Sequence, residues 1–323
     1  MAFRLRLVPE KTNFDFFRWQ WFTFGGSMAL MVVALLAWAV IGLNFGIDFK
    51  GGTTIRTEST QVVDIGAYRA ALAGQPLGDV SITEVFDPSF RDDQHVAMVR
   101  ISAIEGDEAV TPETIAEVES ALQAYDPAIK FVSVESVGPK VSGELIWTAI
   151  LSMVIATVCI LIYIWLRFEW QYSVGAVAAL VHDIFITIGI FAILQIKFDL
   201  PIIAALLTIL GYSINDTVVV FDRLRENLVK YKTMPLREVM NLTVNETLSR
   251  TLMTSGTTLI ALIAMLIFGG DVIRGFVFAI TVGIVLGTYS SVYVAKNIVL
   301  MIGLDRSDKP KAGAGGQFAN IDA

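Results

Sequence analysis

Six apolar segments, each close to the length that crosses a bilayer, constrain this chain more than any other feature of its sequence. A membrane-spanning helix needs about 20 predominantly apolar residues. The segments are Gly25–Leu43, Leu145–Leu166, Tyr172–Ile196, Leu200–Phe221, Leu252–Phe268 and Gly275–Met301. With 54% hydrophobic and only 17% charged residues, the chain is too apolar for an ordinary soluble protein. The sequence therefore predicts a polytopic α-helical membrane protein with six transmembrane helices.

One long polar insert separates the first span from the other five. Residues 44–143 contain 16 acidic and 7 basic residues, a net charge of −9, against a net charge of −7 for the whole chain of 323 residues. We expect five regions: a cytoplasmic N-terminal lead (1–24), transmembrane helix 1 (25–43), a periplasmic α+β domain (44–143), transmembrane helices 2–6 (144–301) with a cytoplasmic loop (222–250), and a disordered cytoplasmic tail (302–323).

The distribution of Lys and Arg predicts the orientation. Fifteen of the 24 basic residues lie in segments on the same side as the N-terminus, and 7 of the other 9 belong to the insert. Because long domains cross a membrane largely regardless of their charge, the basic loops mark the cytoplasmic side. Both termini are therefore expected to be cytoplasmic. Lys296, near the end of the sixth span, is expected to extend to the headgroups.

The insert alternates between strand-like and helix-like segments in the order βαββαβ. Thr111 followed by Pro112 is typical of a helix start, and residues 130–137 form the last predicted strand. This order predicts a ferredoxin-like α+β module. The insert contains no pair of metal ligands and no nucleophile with an adjacent base, so neither a metal site nor an enzyme active site is expected.

Several functions are disfavoured by the composition and motifs. No basic cluster indicates nucleic-acid binding. No phosphate-binding loop of the G-x-x-x-x-G-K-[ST] type occurs, so the chain is not expected to hydrolyse ATP. The single cysteine, Cys159, excludes an intrachain disulfide. No cofactor is expected.

The first candidate functional residue is Asp216, the one carboxylate of the fourth apolar segment, with Asn215 beside it. An ionisable group in hydrocarbon is costly unless it has a partner, water or a function. We consider two interpretations: a protonatable site on an ion path, or a hydrogen bond that only joins helices.

His182 and Asp183 form a second intramembrane pair, on the third span. The loop between the third and fourth spans is short, so these helices are predicted to be antiparallel neighbours. At 1.5 Å of rise per residue, the pair His182–Asp183 and the pair Asn215–Asp216 should then differ in depth by about 6 Å. The pair could belong to the same proton path as Asp216, or it could be a local structural hydrogen bond.

Arg250 begins a third group, at the inner edge of the fifth span. It is followed by hydroxyl residues at helical spacing, namely Thr251, Thr254, Ser255 and Thr258. Such a face suits a helix contact or a thin file of water. A cation near Asp216 would favour the ionised carboxylate, whereas desolvation would oppose it. Alternatively, Arg250 only anchors the span at the headgroups.

Four stretches, taken together, resemble a known family. They are Phe45–Gly52, with Gly46, Asp48, Gly51 and Gly52; His182–Asp183; Gly211–Asn227; and Arg250–Thr258, with Thr254, Ser255 and Gly256. In this order they resemble the SecF family, whose members are membrane subunits of the bacterial Sec protein-export machinery. The resemblance covers about residues 14 to 303.

The resemblance implies a subunit of the resistance-nodulation-division superfamily in the bacterial inner membrane. SecF-like chains form a heterodimer with SecD and work with the SecYEG channel, often with YajC, on a translocating polypeptide. The driving species is the proton, and the family links the positions matching Asp216 and Arg250 to its passage. Gly283 and Gly287, a small-residue pair with no assigned neighbour in this chain, are expected to face SecD.

Two alternatives remain open at this point. One is a structural assembly subunit that conducts no protons. The other is half of a small-molecule exporter of the same superfamily, although a domain of about 100 residues is small for a drug-binding funnel.

Overall fold

The computed structural model describes residues 12–75, 77–102 and 110–304. The first eleven residues of the lead and residues 305–323 of the predicted disordered tail lie outside this range. The helices are α1 (Gln20–Val40), α2 (Ile47–Lys50), α3 (Ile65–Leu72), α4 (Pro112–Tyr125), α5 (Pro139–Arg167), α6 (Trp170–Leu194), α7 (Leu200–Lys230), α8 (Leu236–Phe268), α9 (Asp271–Ser290) and α10 (Lys296–Ile302). A π-helical turn, Ser291–Ala295, joins α9 to α10.

In the described part of the chain, six helices are long and apolar enough to cross a membrane, which confirms the six-span prediction. They are α1, α5, α6, α7, α8 and the continuous unit of α9 and α10. Most side chains of α6 are buried, and α7 packs against α6, α8 and α9. These two helices therefore form the centre of the bundle, where the candidate residues lie.

Residues 44–143 contain the predicted βαββαβ order, and the four strands form one antiparallel sheet. The strands are β1 (Gly52–Ser59), β2 (Val80–Val85), β3 (His95–Ser102) and β4 (Lys130–Val137). Their spatial order is β2-β3-β1-β4, the order of a ferredoxin-like sheet. The Thr111 hydroxyl caps α4 by accepting from the Thr114 N–H, as the sequence predicts. We call this unit the α+β domain.

Two glycines of the family motif form the turn from α2 into β1. Gly51 and Gly52 have φ angles of 75° and 136°, in a region that side chains with a Cβ rarely adopt. Glycine at both positions therefore lets the first strand leave the membrane-proximal helix at a sharp angle.

The pair Gly283 and Gly287 does not face a partner subunit, contrary to the expectation from the sequence. A Cβ at Gly283 would overlap the Ile209 side chain, and one at Gly287 would lie 3.0 Å from Ser213 Cβ. Both glycines therefore allow α9 to approach α7 within the same chain. This neighbour could not be predicted, because the rotation of a helix about its axis cannot be assigned from the apolar pattern alone.

The segment 222–250, expected as a loop between spans, is helical over most of its length. Helix α7 continues to Lys230 and α8 begins at Leu236. Leu224, Val239 and Met240 are buried in one apolar cluster that also contains residues of α5, α6 and α10, so α7 and α8 continue beyond the apolar segments while packed against neighbouring spans. Tertiary packing accounts for helix beyond the apolar segments.

The lead packs onto this extension and changes the role of Lys296. The Asn245 side chain accepts from the Phe14 N–H and donates to the Phe14 carbonyl, which fixes the lead against α8. Lys296 is 1% exposed, and its Nζ lies 4.1 Å from the centre of the Phe17 ring and 5.4 Å from that of Tyr293. The expectation that Lys296 reaches the headgroups is therefore wrong, because aromatic faces surround its ammonium group.

Candidate intramembrane proton site

Asp216 lies on the inward face of α7 and is only 4% exposed. Its Oδ2 accepts one long hydrogen bond, of 3.4 Å, from the Ser255 hydroxyl of α8. The Ser255 Oγ is also 2.7 Å from the Thr288 Oγ1 of α9. Among the described residues no other hydrogen bond to the Asp216 side chain is formed. A carboxylate can accept about four hydrogen bonds, so this one is weakly satisfied.

Arg250 is the candidate cation for the Asp216 site. It lies five residues before Ser255 on α8 and is exposed. Within the described ranges the two side chains form no ion pair. An interaction between Arg250 and Asp216 would therefore act across a gap, and a small helix movement would change it.

The hydroxyl stripe after Arg250 is only partly directed inward. Thr251 and Ser255 are buried, whereas Thr254 is exposed and Thr258 is half-buried. The Thr254 hydroxyl donates to the Arg250 carbonyl, and the Thr258 hydroxyl donates to the Thr254 carbonyl. Both hydroxyls therefore bond to the backbone of α8 itself. Of this stripe, Ser255 alone bonds to a candidate carboxylate in the part of the chain described.

Asp183 has a different environment, with a full set of donors. It is 0% exposed. The hydroxyls of Ser213 on α7 and Ser290 on α9 each donate to its Oδ2 at 2.7 Å. The His182 Nδ1 lies 2.9 Å from its Oδ1. Hydrogen bonds from three groups stabilise the ionised form of a carboxylate. Two of these bonds also connect α6 to α7 and to α9.

The same cluster extends to α1 through Tyr289. The ring of Tyr289 stacks beside His182, with 6.3 Å between ring centres. Its hydroxyl accepts from Ser27 at 3.0 Å and donates to the Thr23 carbonyl at 2.9 Å. His182 Nε2 is buried without a hydrogen-bond partner in the described part of the chain. The cluster thus joins four of the spanning helices.

The two carboxylates are close in depth, but the structure does not connect them directly. Asp183 meets Ser213, which precedes Asp216 by three residues, or about 4.5 Å of helix. No hydrogen bond links Asp183 to Asp216 within the described residues. Asn215 is exposed on another face of α7 and does not join either group.

The sequence did not single out four of the hydroxyl groups that complete these sites. They are Ser213, Thr288, Tyr289 and Ser290. Each stands inside an apolar span, and this was the available signal, because polar side chains buried in a membrane bond across helices. Which hydroxyl meets which carboxylate depends on helix rotation, which the sequence does not specify.

Asp48, in the family motif before β1, lies away from Asp183 and Asp216. It is at the junction of the α+β domain and the helices. The Asp48 Oδ2 accepts from the Leu200 N–H, the first residue of α7, at 2.9 Å. Gly46 donates its N–H to the Phe198 carbonyl at 2.8 Å. A Cβ at Gly46 would lie 2.8 Å from Lys197 Cε and 3.2 Å from Asp199 Cβ. The motif therefore attaches the domain to the α6–α7 turn.

Comparison with known families gives two matches that together cover most of the chain. The family described as protein export membrane protein SecD/SecF, C-terminal, matches residues 117–305, and the SecD/SecF GG motif matches residues 36–61. The second match contains the Gly51–Gly52 turn.

Individual relatives match over nearly full length. The chain is 71% identical to the protein translocase subunit SecF of Cereibacter sphaeroides, over 100% of both chains. It is 67% identical to that of Rhodobacter capsulatus, over 99% of this chain and 98% of the relative. The crystal structure of SecDF, a translocon-associated membrane protein from Thermus thermophilus, aligns with 34% identity and a TM-score of 0.79 over 91% of this chain. This chain spans only 39% of that SecDF chain.

Fold and site together define a multi-pass membrane protein of the resistance-nodulation-division superfamily, with one ferredoxin-like domain and buried carboxylates between its spans. The sequence identities and both family matches also identify the family within this superfamily. The chain belongs to the SecF family of Sec protein translocase subunits, which act in protein export and are transport components rather than enzymes.

Proposed function

We propose that this SecF-family subunit couples the proton motive force to polypeptide export, and that Asp216 carries the proton. The observation that carries the proposal is the contrast in hydrogen bonding. Asp216 is buried with one bond of 3.4 Å, while the nearby Asp183 accepts from three groups. A buried carboxylate with few donors has much to gain from a proton.

Arg250 and Ser255 provide the means of changing protonation. Both lie on α8, so a shift of α8 relative to α7 alters the distance of a cation and of a hydrogen-bond donor from Asp216 at the same time. Each packing of the two helices then holds the proton differently, which is the condition for coupling. Arg250 is exposed near the middle of α8, so it also marks the route between the site and the aqueous phase.

The available energy is sufficient for such a switch. One proton that crosses about 150 mV releases about 3.5 kcal/mol, at about 2.3 kcal/mol per 100 mV. This free energy changes a two-state equilibrium by more than about a hundredfold. It therefore suffices to reverse the preference between two helix packings and to move the α+β domain with a bound polypeptide.

We further infer that the partner in the membrane is SecD. The aligned Thermus protein is a SecDF chain of which this chain covers 39%, so a SecD-like portion fits the remainder. An exposed stripe of small and polar residues along α7 supports this. It consists of Ala204, Thr208, Gly211 and Asn215. Small residues let a second helix approach closely, and Asn215 can bond to it.

The wider assembly comprises SecYEG, often with YajC, in the bacterial inner membrane. The excess of Lys and Arg on the side of the N-terminus supports cytoplasmic termini and a periplasmic α+β domain. On that far side the domain is placed to hold a polypeptide that leaves the channel.

The test is export of a secreted protein into membrane vesicles that contain the full complex, with and without a proton gradient. Asp216→Asn keeps the size of the side chain and its ability to bond but cannot release a proton. We expect normal assembly, loss of the gradient-dependent part of export, and retention of the ATP-driven part that other components supply. Asp222→Asn is the matched control, because Asp222 lies on the same helix in a half-exposed ion pair with Arg167.

Full gradient-dependent export by Asp216→Asn, with complex present at the wild-type amount, would refute the proton-carrying role. It would support the alternative of a structural assembly subunit. Equal loss in Asp216→Asn and Asp222→Asn would show an effect of removing any charge from α7 and would contradict the specific role.

A further inference from the structure

The α+β domain touches the helix bundle at two turns on its own side of the membrane. The first contact is the family motif at the α6–α7 turn, where Asp48 bonds to Leu200 and Gly46 bonds to Phe198. Burial lowers the pKa of the Arg100 guanidinium in the same region, and the nearby Asp199 carboxylate partly offsets this. This contact holds the ends of α6 and α7.

The second contact joins the end of β2 to the α8–α9 turn. The Asp271 N–H donates to the Phe86 carbonyl at 3.0 Å, and the Phe86 N–H donates to Asp271 Oδ2 at 2.8 Å. Arg274 forms an ion pair with Asp271 Oδ1, so both carboxylate oxygens are engaged. Gly270 lies so close to Asp87 that a Cβ would overlap its carboxylate. We call this pair of residues, Phe86 and Asp271, the clasp.

The clasp reaches the two helices that the chain connections of the domain do not reach. The backbone enters the domain from α1 and leaves it into α5, neither of which carries a candidate proton group. Helix α8 carries Arg250 and Ser255, and α9 carries Thr288 and Ser290. In the described part of the chain, the two clasp hydrogen bonds are the only ones between the domain and the α8–α9 turn.

We propose that the clasp transmits movement of α8 and α9 to the α+β domain, with Phe86 and Asp271 as its positioning residues. The inference rests on the proposed function, since it assigns the route by which a change at Asp216 reaches the domain. With α6 and α7 held at the first contact and α8 and α9 at the second, a change of angle between these helix pairs rotates the domain. Loss of the clasp leaves the domain attached to α6 and α7 at the first contact and, through the backbone, to α1 and α5, but not to α8 and α9.

The geometry makes the clasp suited to this role. One of its bonds is between backbone groups, and the other uses a carboxylate that an ion pair orients. Hydrogen bonds to charged groups are shorter and stronger than neutral ones. Asp271 is also the first residue of α9, where a negative charge is favoured by the helix dipole. The contact therefore follows the end of α9 rather than sliding past it.

The first experiment removes the side-chain half of the clasp. Asp271→Ala in the full complex should assemble at the wild-type amount, keep ATP-driven export and lose most of the gradient-dependent part. Asp92→Ala, which removes an exposed carboxylate from the segment between β2 and β3, is the matched control and should export like the wild type. Wild-type gradient-dependent export by Asp271→Ala would overturn the proposal.

The second experiment rejoins the clasp covalently and separates transmission from a general loss of folding. Phe86→Cys and Asp271→Cys are combined with Cys159→Ser, which removes the native exposed thiol. A disulfide spans about 4.4–6.8 Å between Cα atoms. The backbone hydrogen bond between the two residues brings their Cα atoms close to this range. A short thiol-specific crosslinker serves equally if the disulfide forms slowly.

The reduced protein should resemble Asp271→Ala, and the crosslinked protein should recover gradient-dependent export. Crosslinked protein that stays as impaired as the reduced protein would overturn the proposal. Asp216→Asn is measured in parallel to separate the two hypotheses. Gradient-dependent export by Asp216→Asn would refute the proton role, whereas its loss together with normal export by Asp271→Ala would refute the clasp alone.

Discussion

Two buried carboxylates stand less than one helical turn apart in depth, yet their surroundings differ in almost every respect. Asp183 accepts from Ser213, Ser290 and His182 at 2.7–2.9 Å. Asp216 has one contact of 3.4 Å with Ser255 and, among the described residues, forms no ion pair with Arg250. Both residues are carboxylates in apolar spans, so residue type alone would assign them the same function.

The difference shows how a membrane protein can use the same chemical group for two purposes. Donors from three helix positions hold Asp183 in place, so its carboxylate joins helices and its bonds resist movement. Asp216 is bonded to a helix that also carries Arg250, and these interactions are weak enough to change when α8 moves. We interpret Asp183 as the fixed point of the bundle and Asp216 as the group that changes state.

The largest expected effect is on the folded protein, from Asp183→Leu. This change leaves the donors of Ser213, Ser290 and His182 buried without an acceptor. A buried donor left without an acceptor costs about 1–3 kcal/mol, so we expect the loss of these contacts to decrease strongly the amount of folded protein in the membrane. Asp222→Ala is the control, because the half-exposed pair of Asp222 with Arg167 contributes at most about 1 kcal/mol. Folded protein at the wild-type amount and thermal stability would contradict the fixed role of Asp183.

The second effect is on transport rather than folding, from Arg250→Met. Loss of the cation removes its influence on Asp216, and we expect gradient-dependent export to fall as it does in Asp216→Asn. Arg250→Lys separates two causes. If charge alone matters, Lys gives a milder loss, and if the guanidinium geometry is needed, the loss is equally severe. Normal gradient-dependent export by Arg250→Met would remove Arg250 from the site.

The smallest effect compares two serines, one for each carboxylate. Ser213→Ala removes one of three donors to Asp183, and Ser255→Ala removes the hydroxyl that bonds Asp216. Hydrogen bonds between membrane helices average about 0.6 kcal/mol, so neither change should cause unfolding. Ser255→Ala should change the gradient-dependent part of export. Ser213→Ala should export like the wild type. A larger change in Ser213→Ala would reverse the assignment of fixed and mobile carboxylates.

Much of the fold could be predicted because its signals are local. The apolar segments gave the six spans, and the alternation within residues 44–143 gave the βαββαβ order, with the Thr111 cap and the last strand at Lys130–Val137. The predicted loop at 222–250 is mostly helix, because tertiary contacts extend α7 and α8 beyond the apolar segments. Hydropathy detects the membrane part of a helix and not its soluble extension.

The candidate site could be predicted only in part, because contacts between helices depend on their rotation. Asn215 and Asp216 are adjacent in sequence but about 100° apart around α7, so one is exposed and the other buried. Lys296 is enclosed by Phe17, a residue almost the whole chain length away. Likewise, no local pattern predicts that the end of β2 reaches Asp271. The proton-carrying roles assigned to Asp216, Arg250, His182 and Asp183 stay predictions.

The most direct measurement is infrared difference spectroscopy of the complete complex in membranes, before and after an imposed change of pH, at the C=O stretching band of protonated carboxyl groups. We expect a band that Asp216→Asn abolishes and Asp183→Asn retains, since the carboxamide oxygen can still accept from Ser213 and Ser290. A band that persists in Asp216→Asn and disappears in Asp183→Asn would contradict this expectation.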